Sequence, residues 1–383
     1  MAVTARVPGA VRPRRRLRAL PATRTLRIAV FTTSYPRHED DFAGRFVSDA
    51  VARLQALGHE VEVVRPGVYR DFGLAYDGRG IMANVRRRPW LAPLLFLAMA
   101  RALRRAAKDA DLVHAHWLAG GVVAAFCGKP FVVTLHGSIS GGFLDDFRLC
   151  ERHPRLVRAV LRRARAVICV SEALTEAAAR AGVEHAVFIP NGIGIPERVR
   201  PEAEPLEVLY TGRLSPEKGV QDLAAAADGL NLVVCGDGPL RDLVPTRGFV
   251  SREELERRFE DAAVVVCPSR SEGFGVVCGE AMAHGKPVVA CATGGLVNLV
   301  RDGETGLLVE PGDVAGLRAA IERLLGDAEL RHRLGAAARE RIVAHYSWES
   351  VIRRTLEVYE AAVPPRRGRT SARRPAAAVS ATP

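Results

Sequence analysis

Two glutamates eight positions apart, Glu272 and Glu280, bracket the glycine-rich turn Gly273–Phe274–Gly275 in the segment Ser271–Pro287. Glycine lets a ligand approach the backbone, and the first amides of a helix are unpaired donors suited to a phosphate or a sugar hydroxyl. With a helix starting here, Glu272 sits at its mouth and Glu280, about 80° round the axis, faces the same cleft from deeper in. Taken singly, Glu272 is better explained as serving the helix dipole and Glu280 as a solvated helix residue.

Arg213 and Lys218, in Tyr210–Gly219, put two cations after a short apolar run. A leaving nucleoside diphosphate gains negative charge as a glycosidic bond breaks. Fixed cations at that point stabilise the transition state more than the ground state. His136 lies in Thr134–Gly137, which ends a strand, and a buried structural histidine is the alternative there. His114 and His116 share one strand face and could hold a metal with a third ligand. No metal is expected: the D-x-D at Asp109–Asp111 opens that same strand, far in sequence from the cationic pair.

These residues sit at the ends of short β-branched runs that alternate with helical stretches. The first series is Leu26–Ser34, His59–Gly67, Asp111–Trp117, Phe131–Gly137, Ala166–Ser171 and Ala186–Asn191. The second is Leu206–Leu214, Leu230–Gly236, Ala263–Pro268, Pro287–Ala292 and Thr305–Val309, followed by helix from Val314 to about Ala361. Near-continuous apolar strands imply parallel sheets with helices on both faces. The fold class is therefore α/β, with two Rossmann-like doubly wound domains facing across a cleft, where open α/β sheets bind ligands. The expected division is a basic tail at 1–25, an acceptor-side domain at 26–195 and a Pro-rich linker at 196–205. A donor-binding domain at 206–345, a closing helix at 346–361 and a second basic tail at 362–383 complete it. A nicotinamide enzyme is disfavoured, because Phe31–Pro36 follows the first strand in place of G-x-G-x-x-G.

The net charge of +12 resides in the ends. Seven arginines in residues 1–25 and five in 362–383, with no acid in either, account for all of it. The body is formally neutral, which argues against a nucleic-acid partner. The tails read as disordered and attracted to anionic lipid, or merely solvated. No apolar run reaches a membrane span, no signal-peptide core follows Arg18, and seven cysteines without a C-x-x-C pair fit a reducing cytoplasm. Arg86–Arg88 and Arg101, Arg104 and Arg105 flank the apolar stretch Trp90–Met99. That helix lies in the interface of the inner plasma-membrane face, or packs in the core, or does both with different faces.

Together the motifs resemble those of the family-four retaining glycosyltransferases of the GT-B fold (glycosyl transferases group 1), over most of residues 26–361. The resemblance implies that Glu272 bonds donor-sugar hydroxyls, Glu280 the ribose, and the amides of Gly273, Phe274 and Gly275 the sugar. It implies that Arg213 and Lys218 hold the diphosphate, that His136 lies beside the reacting sugar, and that Gly44 lies in a loop approaching the donor phosphate. Cys235–Pro239, with Gly236, and Gly248–Val250 resemble loops near the nucleotide base and phosphate, and Gly294–Gly295 a further phosphate-side turn. The implied donor is a UDP- or GDP-sugar, with no cofactor and an acceptor that the residues leave unnamed.

Three departures from the family pattern bear on function. Asn191–Gly194 lacks the family's acid, the glutamate usual after the Gly-Gly turn is absent near Asn298, and Gly219–Val250 is short. The first two concern contacts between domains, the third base specificity. Two alternatives are carried: a nucleotide-sugar epimerase of the same fold, and a tethering protein that works through its basic tails.

Overall fold

The computed structural model describes residues 24–38, 41–75, 81–137 and 145–364. Its first sheet contains β1 (Arg27–Phe31), β2 (Glu60–Val64), β3 (Leu112–His116), β4 (Phe131–Leu135), β5 (Ala166–Cys169) and β6 (Ala186–Phe188). The second contains β7 (Val208–Thr211), β8 (Leu232–Cys235), β9 (Val264–Cys267), β10 (Val288–Cys291) and β11 (Leu307–Val309). The strand orders are β2-β1-β3-β4-β5-β6 and β11-β10-β9-β7-β8, with every pairing parallel. The apolar runs mark central strands because both faces are covered: β3, β4, β9 and β10 are buried along their whole length. Edge strand β2 alternates exposed glutamates with partly buried valines.

Helices α1 (Arg45–Ala56), α2 (Ile81–Arg87), α3 (Ala92–Ala106), α4 (Trp117–Ala124), α5 (Asp146–Arg152), α6 (Pro154–Leu161) and α7 (Glu172–Arg180) dress the first sheet. The second carries α8 (Val220–Ala226), α9 (Arg252–Asp261), α10 (Val276–Ala283), α11 (Leu296–Leu299), α12 (Val314–Gly326) and α13 (Ala328–His345). The last helix, α14 (Trp348–Ala362), returns to the first sheet. There Trp348, Ile352, Leu356 and Tyr359 pack with Val47, Val51 and Leu54 of α1. The closing stretch is three helices, the last of them the expected closing helix. It breaks at Asp327 and Ser347, whose side chains cap α13 and α14 by accepting from Leu330 N and Ser350 N.

The basic ends lie outside the described residues apart from their inner edges. At those edges Arg24 pairs with Asp111, and Ala362 still belongs to α14.

Candidate active site

In each sheet the strand order reverses once, between β1 and β3 and between β7 and β9. Side chains just beyond the carboxyl ends of those strands face the crevice such reversals create. His116 ends β3 and Trp117 follows it, His136 follows the adjacent β4, and Gly212, Arg213 and Ser269–Glu272 follow β7 and β9. The apolar runs of the sequence overshoot the strands by one to three residues at these ends: His136 and Gly137 have left the first sheet, and Gly212, Arg213 and Leu214 the second.

Two kinds of helix start bear on the site. Six helices (α5, α7, α9, α12, α13 and α14) are capped by an Asp or Ser side chain that accepts from a first-turn amide. Three others, α1, α8 and α10, begin at a left-handed glycine with no side-chain cap: Gly44 (φ 66°), Gly219 (φ 68°) and Gly275 (φ 98°). Their first-turn amides are left without a capping side chain, which suits an anionic ligand. Gly275 also shows that Glu272 sits on the loop before α10, not on the helix. The angular relation to Glu280 expected from helix geometry therefore does not apply, and the two carboxylates have different partners.

The Lys218 ammonium lies 2.6 Å from Glu272 Oε2, to which Ser269 Oγ also donates at 3.2 Å. The loop carrying Glu272 is held by Arg270, which grips Asp222 of α8 through two 2.7 Å bonds, and by Arg270 N and Ser271 N donating to Glu217 O. Behind it, a Cβ on Gly294 would stand 1.8 Å from Glu272 O, so the Gly294–Gly295 turn packs on this backbone. The Phe274 ring is buried beside Tyr346; only its amide is left for a ligand, since the ring belongs to the core.

Arg213 is exposed, and no ion pair holds its guanidinium among the described residues. Its carbonyl accepts from Tyr210 Oη at 2.9 Å, which fixes the turn. Gly236 (φ 145°) lies against Gly212, where a Cβ would stand 1.9 Å from the Gly212 carbonyl, and its N–H donates to Gly248 O. These glycines bring the loops of β7 and β8 together beside Arg213. Val250 is partly buried against the core, and its neighbour Phe249 is 73% exposed. Between β8 and α9 the chain forms only a 3-10 turn, Arg241–Leu243, which accounts for the short Gly219–Val250 stretch.

Glu280 accepts from Arg252 Nη1 at 2.7 Å, and Arg252 also pairs with Glu256, which in turn meets His284 at 2.9 Å. Arg252 was not marked out by its sequence surroundings. Ser251 in front of it and the acidic run behind it read only as the start of a helix.

Across the cleft, His136 Nε2 lies 2.9 Å from His116 Nδ1. His114 bonds Tyr359 Oη at 2.6 Å and Thr134 Oγ1 at 2.7 Å, so its two ring nitrogens are engaged with hydroxyls rather than a metal. Burial pushes His114 down to about 4 and, with the neighbouring His114 charge, His136 to about 3; His116 is lowered by the same causes. All three are neutral at pH 7, so His136 acts as an uncharged hydrogen-bonding group. Its Nδ1 is buried without a partner among the described residues.

Two further residues position His136. The Asp146 carboxylate accepts from His136 N and Leu118 N, both at 2.9 Å, and burial raises it to about 7 against those lowering bonds. Trp117 adopts φ 62° and places its ring 4.9 Å from the His136 ring. An acid doublet at a helix start was the only sequence signal for the first, and none existed for the second.

Gly44 packs under the turn after β1, where a Cβ would stand 2.1 Å from Ser34 O. The two halves meet backbone to backbone: a Cβ on Gly273 would come within 2.2 Å of His136 O, and one on Gly137 within 2.9 Å of Gly273 Cα. Asn298, at the position of the missing glutamate, accepts from Glu172 N of the first sheet's α7 at 3.1 Å. Gly192 makes room for Trp348, whose ring a Cβ there would strike at 2.2 Å.

Residues 43–195 match the family described as Glycosyltransferase Family 4, and residues 195–341 match Glycosyl transferases group 1. A glycogen synthase of Mycobacterium tuberculosis is 30% identical over 88% of this chain and 95% of its own. An alpha-maltose-1-phosphate synthase of Mycolicibacterium smegmatis is 29% identical over 87% and 99%. Among solved structures, a sucrose-phosphate synthase from Thermosynechococcus elongatus superposes with a TM-score of 0.71 at 25% identity, covering 87% of this chain and 98% of that one.

Proposed function

The chain belongs to the family-four, group 1 glycosyltransferases of GT-B fold, and from that premise we propose that it moves a hexose-type sugar from a UDP- or GDP-sugar to an acceptor hydroxyl with retention of anomeric configuration. The observation that carries the reading is one convergence. The Lys218–Glu272 pair and the uncapped start of α10 flank Gly273, whose backbone meets the His136 carbonyl of the other lobe, and exposed Arg213 stands at the end of β7.

In this reading Arg213 and Lys218 take the diphosphate, and their fixed charge grows in value as the bond to the sugar breaks. Glu272 exchanges Lys218 for sugar hydroxyls, the amides of Gly273–Gly275 line the sugar, and Glu280 holds the ribose while Arg252 orients it. Gly44 brings the first-lobe loop toward the phosphate, and the Gly236 and Val250 loops flank the base. Neutral His136 bonds the donor sugar. The acceptor hydroxyl attacks from the leaving-group face and the departing phosphate takes its proton, so no protein nucleophile and no metal enters. Seven unpaired cysteines suit a cytoplasmic setting, with peripheral attachment to the inner membrane face.

Calorimetric binding of UDP, GDP and ADP to the wild type and to Glu280→Ala and Arg213→Ala tests this. One nucleotide bound tightly and weakened by both changes supports the reading and names the base; no binding to the folded wild type overturns it. Isomerisation of a nucleotide sugar without any acceptor supports the epimerase instead.

A further inference from the structure

Helix α3 presents two unlike faces. Leu95, Met99, Ala102 and Leu103 are buried in the first-lobe core, while Leu94 is 50% and Leu97 64% exposed. Trp90, in the 3-10 turn Pro89–Leu91 just ahead, is 68% exposed. Positions 90, 94, 97, 101 and 105 follow helical spacing, so the outward apolar residues continue into exposed Arg101 and Arg105. Phe126, half exposed, stands beside this face with its ring edge-on to Phe96 at 5.4 Å, and Arg104 Nε donates to its carbonyl at 2.8 Å. Exposed Arg86, Arg87 and Arg88 lie on the other side of Trp90. From Ile81 to Lys108 the chain carries six arginines, one lysine and no acidic residue.

We propose that this face, Trp90, Leu94 and Leu97 between the Arg86–Arg88 and Arg101–Arg105 clusters, docks on an anionic lipid bilayer. Single exposed leucines need no explanation, but an aromatic and two leucines in one row, bracketed by charge of one sign, do. A bilayer supplies both complements at once: acyl chains for the apolar row, with tryptophan at the headgroup level, and anionic headgroups for the arginines. A second copy is a poor occupant, because a two-fold contact sets the same cations against themselves. Topology gives the docking a direction. Helix α3 links parallel strands β2 and β3, so it runs against them and its apolar N-terminal half lies at their carboxyl ends, the side of His116, Trp117 and His136. Docking there turns the cleft toward the surface, where a lipid-borne acceptor would be held. The surface is independent of the donor chemistry proposed above, and nucleotide binding reports on that separately.

The full chain is mixed with vesicles of phosphatidylcholine alone and of phosphatidylcholine with phosphatidylglycerol, and partition is read by flotation together with tryptophan emission. The expected result is binding to the anionic vesicles only, with a blue shift that Trp90→Phe removes. The double variants Leu94→Ser/Leu97→Ser and Arg101→Glu/Arg105→Glu each lower partition by at least roughly tenfold, while circular dichroism and melting stay at wild-type values. Three results overturn the proposal. They are no vesicle binding; anionic binding undiminished in both variants, which assigns it to the arginine-rich ends; and a concentration-dependent dimer that Leu94→Ser/Leu97→Ser dissociates.

Discussion

Lys218 Nζ and Glu272 Oε2 stand 2.6 Å apart, each the other's ion-pair partner. Both are partly buried, so each would lose stability if its partner were simply removed. A donor that offers phosphate oxygens to the one and sugar hydroxyls to the other replaces the pair without stranding either charge. Lys218→Ala should therefore weaken nucleoside diphosphate binding by about tenfold, the scale of one charge-assisted contact. Glu272→Gln should leave the free diphosphate within about threefold of wild type and weaken the nucleotide sugar. Calorimetry with both ligands checks this, and equal losses for both ligands in Glu272→Gln would count against a sugar role.

Arg252 should matter to nucleotide binding only through Glu280. Its guanidinium joins Glu280 and Glu256, and those carboxylates raise its affinity for the proton despite burial. Arg252→Ala is expected to weaken nucleotide binding by about three- to tenfold, less than Glu280→Ala, with the double variant no weaker than Glu280→Ala alone. Additive losses would mean that Arg252 touches the ligand itself.

The close approach of the two lobes predicts a split between binding and transfer. A methyl group on Gly273 must displace the His136 carbonyl, a clash of the kind that costs about 1–3 kcal/mol when it cannot relax. Gly273→Ala should keep nucleotide affinity within about threefold while transfer falls at least about tenfold, because the second lobe stays intact but the lobes no longer meet. Single-turnover kinetics beside calorimetry separates the two.

The buried histidines should make the fold acid-sensitive. His114 has its affinity for protons pushed from the ordinary 6.5 down to about 4, so between these values the unfolded chain binds a proton that the native state refuses. Native stability is complete above about pH 6.5 and is lost as pH falls toward 4, by up to about 1.4 kcal/mol per pH unit for this group. Asp146, raised to about 7, contributes with the opposite sign as pH rises from the ordinary carboxyl range. Comparing wild type with His114→Gln isolates the histidine: denaturant melts across that interval should show a shallower pH slope for the variant, and parallel slopes would refute the assignment.

The sequence by itself determined the strands and the ends at which chemistry sits. Parallel strands buried on both faces must be runs of Val, Ile, Ala and Leu, so Val264–Cys267 and Phe131–Leu135 stand out locally, as do His136 and Arg213 just beyond strand ends. The glycines at the starts of α1 and α10 were legible for a similarly local reason: a left-handed residue with no room for a Cβ leaves little choice.

Tertiary structure alone decided the partners. Glu272 and Lys218 are 54 residues apart and Glu280 and Arg252 28, and which carboxylate met which cation depended on the order of β7, β8 and β9 and on loops held by Arg270 and Asp222. His116 reaches His136 because β3 and β4 are neighbours in register, and Tyr359 reaches His114 because α14 crosses back to the first sheet. The outward row of α3 was readable as apolar and basic, but its composition suits a core helix as well as a surface one. Which residues of that helix meet solvent was settled by the packing of Leu95, Met99 and Leu103, since a helix buries only the face its neighbours can reach.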